Sequence, residues 1–271
     1  MTDLSNQSHD FLQGRRIHSE WQSDYLNPDM DAFWDVIFAD ILRRIGATPK
    51  DTILDAGCGY CYHTVRLARC GAKITAVDFS TSALETARDN ISRSGLSDQV
   101  TLRQADLTSL PFPDSSFDFV VSNGVLMHIP ELEKALSELA RVLKPNGILV
   151  LNENNMDSLD VRIRERLIGL IKTALGRNGD QTVLTPRGTE TWKKGATGGL
   201  MVRKTNMKFL TEFLSERGLH QIARTPSQFT EAYTNLPFKF LKRAVYAFNI
   251  FCFKQNISAS MSMGNILYFQ R

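Results

Sequence analysis

Residues 54–59, Leu-Asp-Ala-Gly-Cys-Gly, decide the fold of this chain of 271 residues. They close a short apolar run, Thr52–Ala56, that reads as a buried strand. They open onto Tyr62–Cys70 (YHTVRLARC), where Val65, Leu67 and Ala68 have helical spacing and Gly71 gives the stop. Gly57 and Gly59 suit a turn at which a side chain would hold the backbone away from a ligand. The helix that follows offers N–H groups and a positive dipole end, a setting for a carboxylate or phosphate. Many glycine-rich turns only join two elements, so the reading rests on what lies further along.

Strand and helix signals alternate from residue 52 to residue 151. Lys73–Val77 is a second strand, closed by Asp78, and Ser80 or Thr81 caps a helix that runs to about Arg93. Val100–Arg103 and Phe117–Ser122 are the third and fourth strands. Pro130–Leu143 is a helix with apolar Leu132, Ala135, Leu136, Leu139 and Leu143, and Ile148–Leu151 is the fifth strand. Apolar strands joined by helices predict a parallel sheet covered on both faces. Asp78 stands 21 residues after Gly57, where nucleotide-binding α/β folds place an acid that accepts hydrogen bonds from ribose hydroxyls. Asp106 follows the third strand, where it would meet an adenine amino group. Any one of Asp55, Asp78 and Asp106 reads equally well as a turn or cap residue. Three in register at the carboxyl ends of neighbouring strands point to a ligand site.

Four stretches carry a resemblance to a known family: LDAGCG (Leu54–Gly59), AVDFSTSALETAR (Ala76–Arg88), ADLTSLPFPDSSFDFVVS (Ala105–Ser122) and LARVLKPNGILVL (Leu139–Leu151). In this order and spacing, residues 50–152 resemble the class I S-adenosylmethionine-dependent methyltransferases. The resemblance implies a Rossmann-like, doubly wound α/β sheet of seven strands, mostly parallel with an antiparallel last strand. It implies S-adenosyl-L-methionine as cofactor. By the same resemblance, Asp55, Gly57 and Gly59 line the methionine end, Asp78 holds the ribose hydroxyls, and Phe79 lies against the adenine. Asp106 and Leu107 meet the adenine, and Asn123 lies beside the methyl donor. Many members have a third glycine where this chain has Cys61, a side chain small enough to fit. Methyl transfer needs an aligned nucleophile and often a base. His128 is the nearest base candidate in sequence, though a histidine there is more often a packing or cofactor-adjacent residue; Glu153 is a weaker candidate, and His63 belongs to the first helix.

The rest of the chain points to the acceptor. Residues 1–150 carry 14 Lys/Arg against 20 Asp/Glu, a net −6, while residues 151–271 carry 18 against 9, a net +9. Ser158–Leu175 is predicted as a basic amphipathic helix, 176–204 as loop, Thr205–Arg217 as helix, Leu219–Thr225 as a sixth strand and Ser262–Gln270 as the last. Phe238–Phe253 is aromatic and basic. Three regions follow: an N-terminal helical segment (1–50), in which Trp21 and Tyr25 could close over the cofactor but read more readily as plain helix contacts; a cofactor-binding core (51–152); and a region (153–271) with a helical cap and the last two strands. Residues 153–204 and 226–258 are expected to form the cap, with Lys239, Lys242 and Arg243 beside a Phe-rich stripe, which suits a small apolar acceptor with an anionic group. A basic half also suits peripheral contact with anionic lipid, or a plain solvated face.

Composition narrows the alternatives. No run of about 18 apolar residues occurs, the N-terminus lacks a secretory pattern, and four cysteines are too few for a disulfide framework, so a cytoplasmic setting is expected. Cys58-Gly59-Tyr60-Cys61 matches the C-x-x-C of thiol–disulfide oxidoreductases, but that reading explains neither Asp78 nor Asp106. An NAD-dependent dehydrogenase would need glycine at Tyr62. A non-catalytic binding module is the remaining rival. Neither a nucleic-acid partner nor a metal site is expected.

Overall fold

The computed structural model describes residues 28–163, 181–193, 200–236 and 238–271. Its centre is a seven-stranded sheet in the order β3-β2-β1-β4-β5-β10-β9. The strands are β1 (Thr52–Ala56), β2 (Lys73–Asp78), β3 (Val100–Gln104), β4 (Phe117–Asn123), β5 (Leu143–Asn154), β9 (His220–Pro226) and β10 (Gly264–Gln270). The first five pair in parallel, and β10 runs antiparallel between β5 and β9. This is the doubly wound sheet with an antiparallel last strand that the sequence implies.

The central strands are apolar on both sides because each side is covered, whereas the edge strands β3 and β9 are largely exposed. Ile53, Val121, Val150, Ile266 and Tyr268 share one core with α1 (Pro28–Ile45), α2 (Tyr62–Leu67), α3 (Thr81–Arg93) and α6 (Lys239–Lys254). Leu54, Val120, Leu149, Leu151, Leu267 and Phe269 share the other with α4 (Leu132–Val142) and α5 (Met207–Ser215). Alternate residues of one strand thus feed opposite cores, as a period of two requires. The helix starts follow local chemistry. Ser80 caps α3 by accepting from the Ala83 N–H, and Asn206 caps α5 by accepting from the Lys208 and Phe209 N–H groups.

Two regions differ from the expectation. Residues 176–204 contain three strands where loop is predicted: β6 (Gln181–Thr185), β7 (Gly188–Trp192) and β8 (Met201–Thr205), an antiparallel meander. Its inward register is partly polar, with Arg203 and Thr205 buried beside Met201, so hydrophobic alternation gives no signal. The second concerns α6, which is no lid over the site. Tyr246 and Cys252 are buried on a side that packs against α1 and beside the edge strand β9. An amphipathic stripe says that one side is covered, not by what, and here the flank of the sheet covers it. The helix predicted over 158–175 begins at residue 159; its course beyond 163, and Trp21 and Tyr25, lie outside the described residues.

Candidate active site

The carboxyl ends of β1 and β2 bring the predicted residues together. Gly57 and Cys58 both donate their N–H to Val77 O (2.9 and 2.8 Å), which ties the turn after β1 to β2. Gly59 N–H donates to Asp78 Oδ2 and Ser80 N–H to Asp78 Oδ1, both at 2.9 Å. Asp78 therefore links the glycine turn to the start of α3. Gly57 has φ +88° and Gly59 φ +51°, conformations that favour glycine. Nothing stands within 4 Å of a Cβ built on Gly59, so the turn borders open space there. Cys61 also has positive φ (63°) and is buried, which accounts for a glycine preference at this position.

Asp55 is buried at the end of β1 and accepts a hydrogen bond from Thr64 Oγ1 (2.6 Å). Burial pushes its carboxyl up to about 6; the Thr64 bond opposes this and the Asp78 charge adds to it. Phe79 is half-buried next to Asp78, and its carbonyl accepts from Gln104 Nε2 (3.0 Å). Asp106 is exposed after β3, with Oδ1 accepting from both Thr108 N and Oγ1 at 2.8 Å, while Leu107 is buried. Asn123 ends β4 opposite Asn152 of β5, whose Nδ2 donates to Asn123 Oδ1 (2.7 Å).

His128 sits in a turn of 3-10 helix, Leu126–His128, after β4. Its Nδ1 lies 2.9 Å from Met201 O in β8. A carbonyl only accepts, so Nδ1 carries the proton and the basic lone pair is on Nε2. His63 has another fate. It stacks on Phe38 (ring centres 4.7 Å apart), and burial with Arg66 nearby holds its imidazole down at about 3. It is a packing residue.

Arg203, on β8, is a functional neighbour that sequence reasoning missed. It is fully buried and donates to Glu190 Oε1 (3.0 Å), Leu126 O (2.9 Å), Ile129 O (3.0 Å) and Pro130 O (3.3 Å). The meander thereby grips the segment that carries His128. Glu190 faces Arg203 directly across β7 and β8, so an opposite-charge pair in one inward register was the available signal. Glu153 of β5 backs the same segment, accepting from Leu126 N–H (3.1 Å). Burial pushes Glu153 up to about 8, against the pull of the Leu126, Met127 and Val125 N–H groups and the Arg203 charge. It is packed beneath the turn and supports it.

Cys58 and Cys61 are free thiols. A hydrogen bond with Cys61, together with burial, drives the Cys58 thiol well above its usual range. Thiol exchange needs the thiolate, so this turn is poorly suited to it. Among the described residues, no group of three His, Cys, Asp or Glu is placed to hold a metal ion, and no helix is long and apolar enough to cross a membrane.

Residues 54–151 match a family model described as a methyltransferase domain. The chain is 35% identical over 112 residues to the methyltransferase GfsG of Streptomyces halstedii, covering 41% of this chain and 40% of that protein. It is 36% identical over 112 residues to a demethylmenaquinone methyltransferase of Desulfitobacterium hafniense, covering 40% and 44%. The match thus spans less than half the length of these curated relatives. A solved S-adenosylmethionine-dependent methyltransferase from Methanosarcina mazei superposes with a TM-score of 0.58 at 19% identity, over 85% of this chain and 96% of that one.

Proposed function

We propose that this chain, whose residues 54–151 match a methyltransferase-domain model, is a class I S-adenosylmethionine-dependent methyltransferase that transfers the cofactor's methyl group to a small-molecule acceptor. The observation that carries this reading is the join between Gly59 N–H and Asp78 at the ends of β1 and β2, beside open space at Gly59. That arrangement fits the cofactor: the turn approaches closely, and two buried carboxylates, Asp55 and Asp78, suit its positive charge.

The cofactor supplies an electrophilic methyl on a sulfonium. Asp55, Gly57 and Gly59 hold its methionine end, and Asp78 accepts from the ribose hydroxyls. Phe79, Asp106 and Leu107 bound the adenine, and Asn123, braced by Asn152, stands beside the methyl donor. His128 takes the acceptor's proton at Nε2, its ring held by Met201 O. The meander and the residues around 159–163 flank this side and select the acceptor, methylated on O, N or C. The four free cysteines support a cytoplasmic setting.

Calorimetry tests the reading. S-adenosyl-L-methionine should bind at micromolar affinity, about −8 kcal/mol, and NAD and FAD should not. Asp78→Ala should weaken binding by about 1.5–3 kcal/mol, the range for a hydrogen bond to a charged group. Wild-type affinity in that variant would show that the ribose is held elsewhere. Methyl transfer from labelled cofactor to a metabolite extract identifies the acceptor, and absence of any transfer would favour a binding module.

A further inference from the structure

The helix α6 (Lys239–Lys254) buries Tyr246, Asn249 and Cys252 against the protein. Its opposite side carries three phenylalanines in solvent, Phe240, Phe248 and Phe251, exposed by 69%, 44% and 55%. At 100° per residue, positions 240, 248 and 251 share one face, with Ala244 and Ala247 exposed between them. Lone exposed apolar residues need no explanation, but an aromatic row on one helix face does. The charges of the helix itself have one sign. The helix contains Lys239, Lys242, Arg243 and Lys254 and no acidic residue.

The row continues toward the active-site edge of the sheet. Phe248 meets Phe229 edge-on at 5.5 Å, just past the end of β9. Thr230 Oγ1 donates to Asp160 Oδ1 (2.6 Å), and Leu159 N–H donates to Met261 O (3.0 Å). Leu159 and Met261 are themselves exposed. These contacts join α6 to the segments that lead into β10 at the carboxyl edge of the sheet, the edge that holds the glycine turn.

We propose that the outer face of α6 is a docking surface for an anionic lipid bilayer, with the aromatic row in the interface and the bordering Lys239, Arg243 and Lys254 on headgroup phosphates. Arg243 and Lys254 border the aromatic row on one side and Lys239 stands exposed at the start of the helix, and an aromatic row bordered by cations is the composition of interfacial helices. A second copy of the chain is a poorer occupant, because like faces would set lysine against lysine with no acidic residue of the helix between them. The surface stands on these observations alone. Its purpose, drawing an apolar acceptor from the bilayer to the neighbouring site, rests on the methyltransferase reading.

Co-sedimentation of the full chain with sucrose-loaded vesicles tests the surface. We expect binding to mixed phosphatidylglycerol–phosphatidylcholine vesicles and little to phosphatidylcholine alone. Raising salt from about 0.1 to about 1 M should release the protein, as the screening length shrinks from about 10 to about 3 Å. K239S/R243S/K254S should weaken binding about a hundredfold, at about tenfold or less per cation. F240S/F248S/F251S should abolish it. These positions are on the surface, and unchanged circular dichroism and S-adenosylmethionine affinity would show both variants folded. Equal binding to neutral vesicles, no binding to either, or unchanged binding by the Phe variant overturns the proposal. So does a wild-type dimer that the Phe variant dissociates without any vesicle binding. Vesicle binding without cofactor binding would sink the methyltransferase reading and keep the surface; cofactor binding without vesicle binding does the reverse.

Discussion

Val125 fills the space that a side chain on Gly57 would need: a Cβ built there would lie 2.5 Å from both Val125 methyl carbons. Val125, two residues past the end of β4, thus sets the shape of the turn after β1. Gly57→Ala should lose about 1–3 kcal/mol of stability through overpacking, besides the strain of an alanine at φ +88°. Urea unfolding checks this. Adding Val125→Ala should recover the packing part and leave the strain. A Gly57→Ala protein as stable as wild type would mean that the turn is looser than described.

Asp55 makes cofactor affinity depend on pH. Its carboxyl, raised to about 6, is largely protonated below that value, whereas a cationic cofactor group favours the ionised form. Affinity should therefore be level above about pH 7 and weaken by up to about tenfold per unit as pH falls below about 6. Asp55→Asn should bind weakly and without this slope. Calorimetry from pH 5 to 8 decides, and a level wild-type profile would place the cofactor's positive charge away from Asp55.

Glu153 makes stability depend on pH. Its folded pKa of about 8 lies above the ordinary 4.5, so the folded protein holds a proton that the unfolded chain releases. That contribution is complete below pH 4.5 and is lost as pH rises through 8. Between pH 6 and 8, above the range of Asp55, stability should fall by up to about 1.4 kcal/mol per unit. Glu153→Gln should flatten this slope. Equal slopes in the two proteins would mean that Glu153 is ionised and fully paired.

His128 gives the sharpest test of the chemistry. His128→Ala should lower kcat by about 10²–10⁴-fold if proton removal accompanies methyl transfer, with cofactor affinity unchanged because the glycine turn and Asp78 are untouched. Loss of cofactor affinity with kcat preserved would make His128 a support of the turn.

The sheet and the cofactor edge were legible because they are local. β1, β2, β4 and β5 are apolar runs, and Gly57, Gly59 and Asp78 lie at spacings fixed by a strand, a turn and a helix. The meander was not legible, since its inward register holds Arg203 and Thr205, and an arginine is buried only because Glu190 and three carbonyls from a distant segment receive it. The place of α6 was hidden for a different reason. Its stripe specifies an apolar side, while the surfaces that cover it, α1 and the β9 edge, depend on how the sheet is assembled. Cys61 falls between the two cases: its place in the turn is evident, but not its left-handed backbone.

The position of β10 sets an order of assembly. Among the described residues β9 pairs only with β10 in the main sheet, and β10 joins it to β5. A ribosome makes β9 before β10, so β9 emerges with no strand to pair with. It must wait, its ladder groups hydrated or sheltered, until Gly264–Gln270 arrives and both enter together. Strands β1 to β5 can close earlier, since each already has its partner in the chain. The protein should therefore mature in two stages, a five-stranded nucleus followed by a paired addition. Interruption between the stages would expose the β5 edge to other chains.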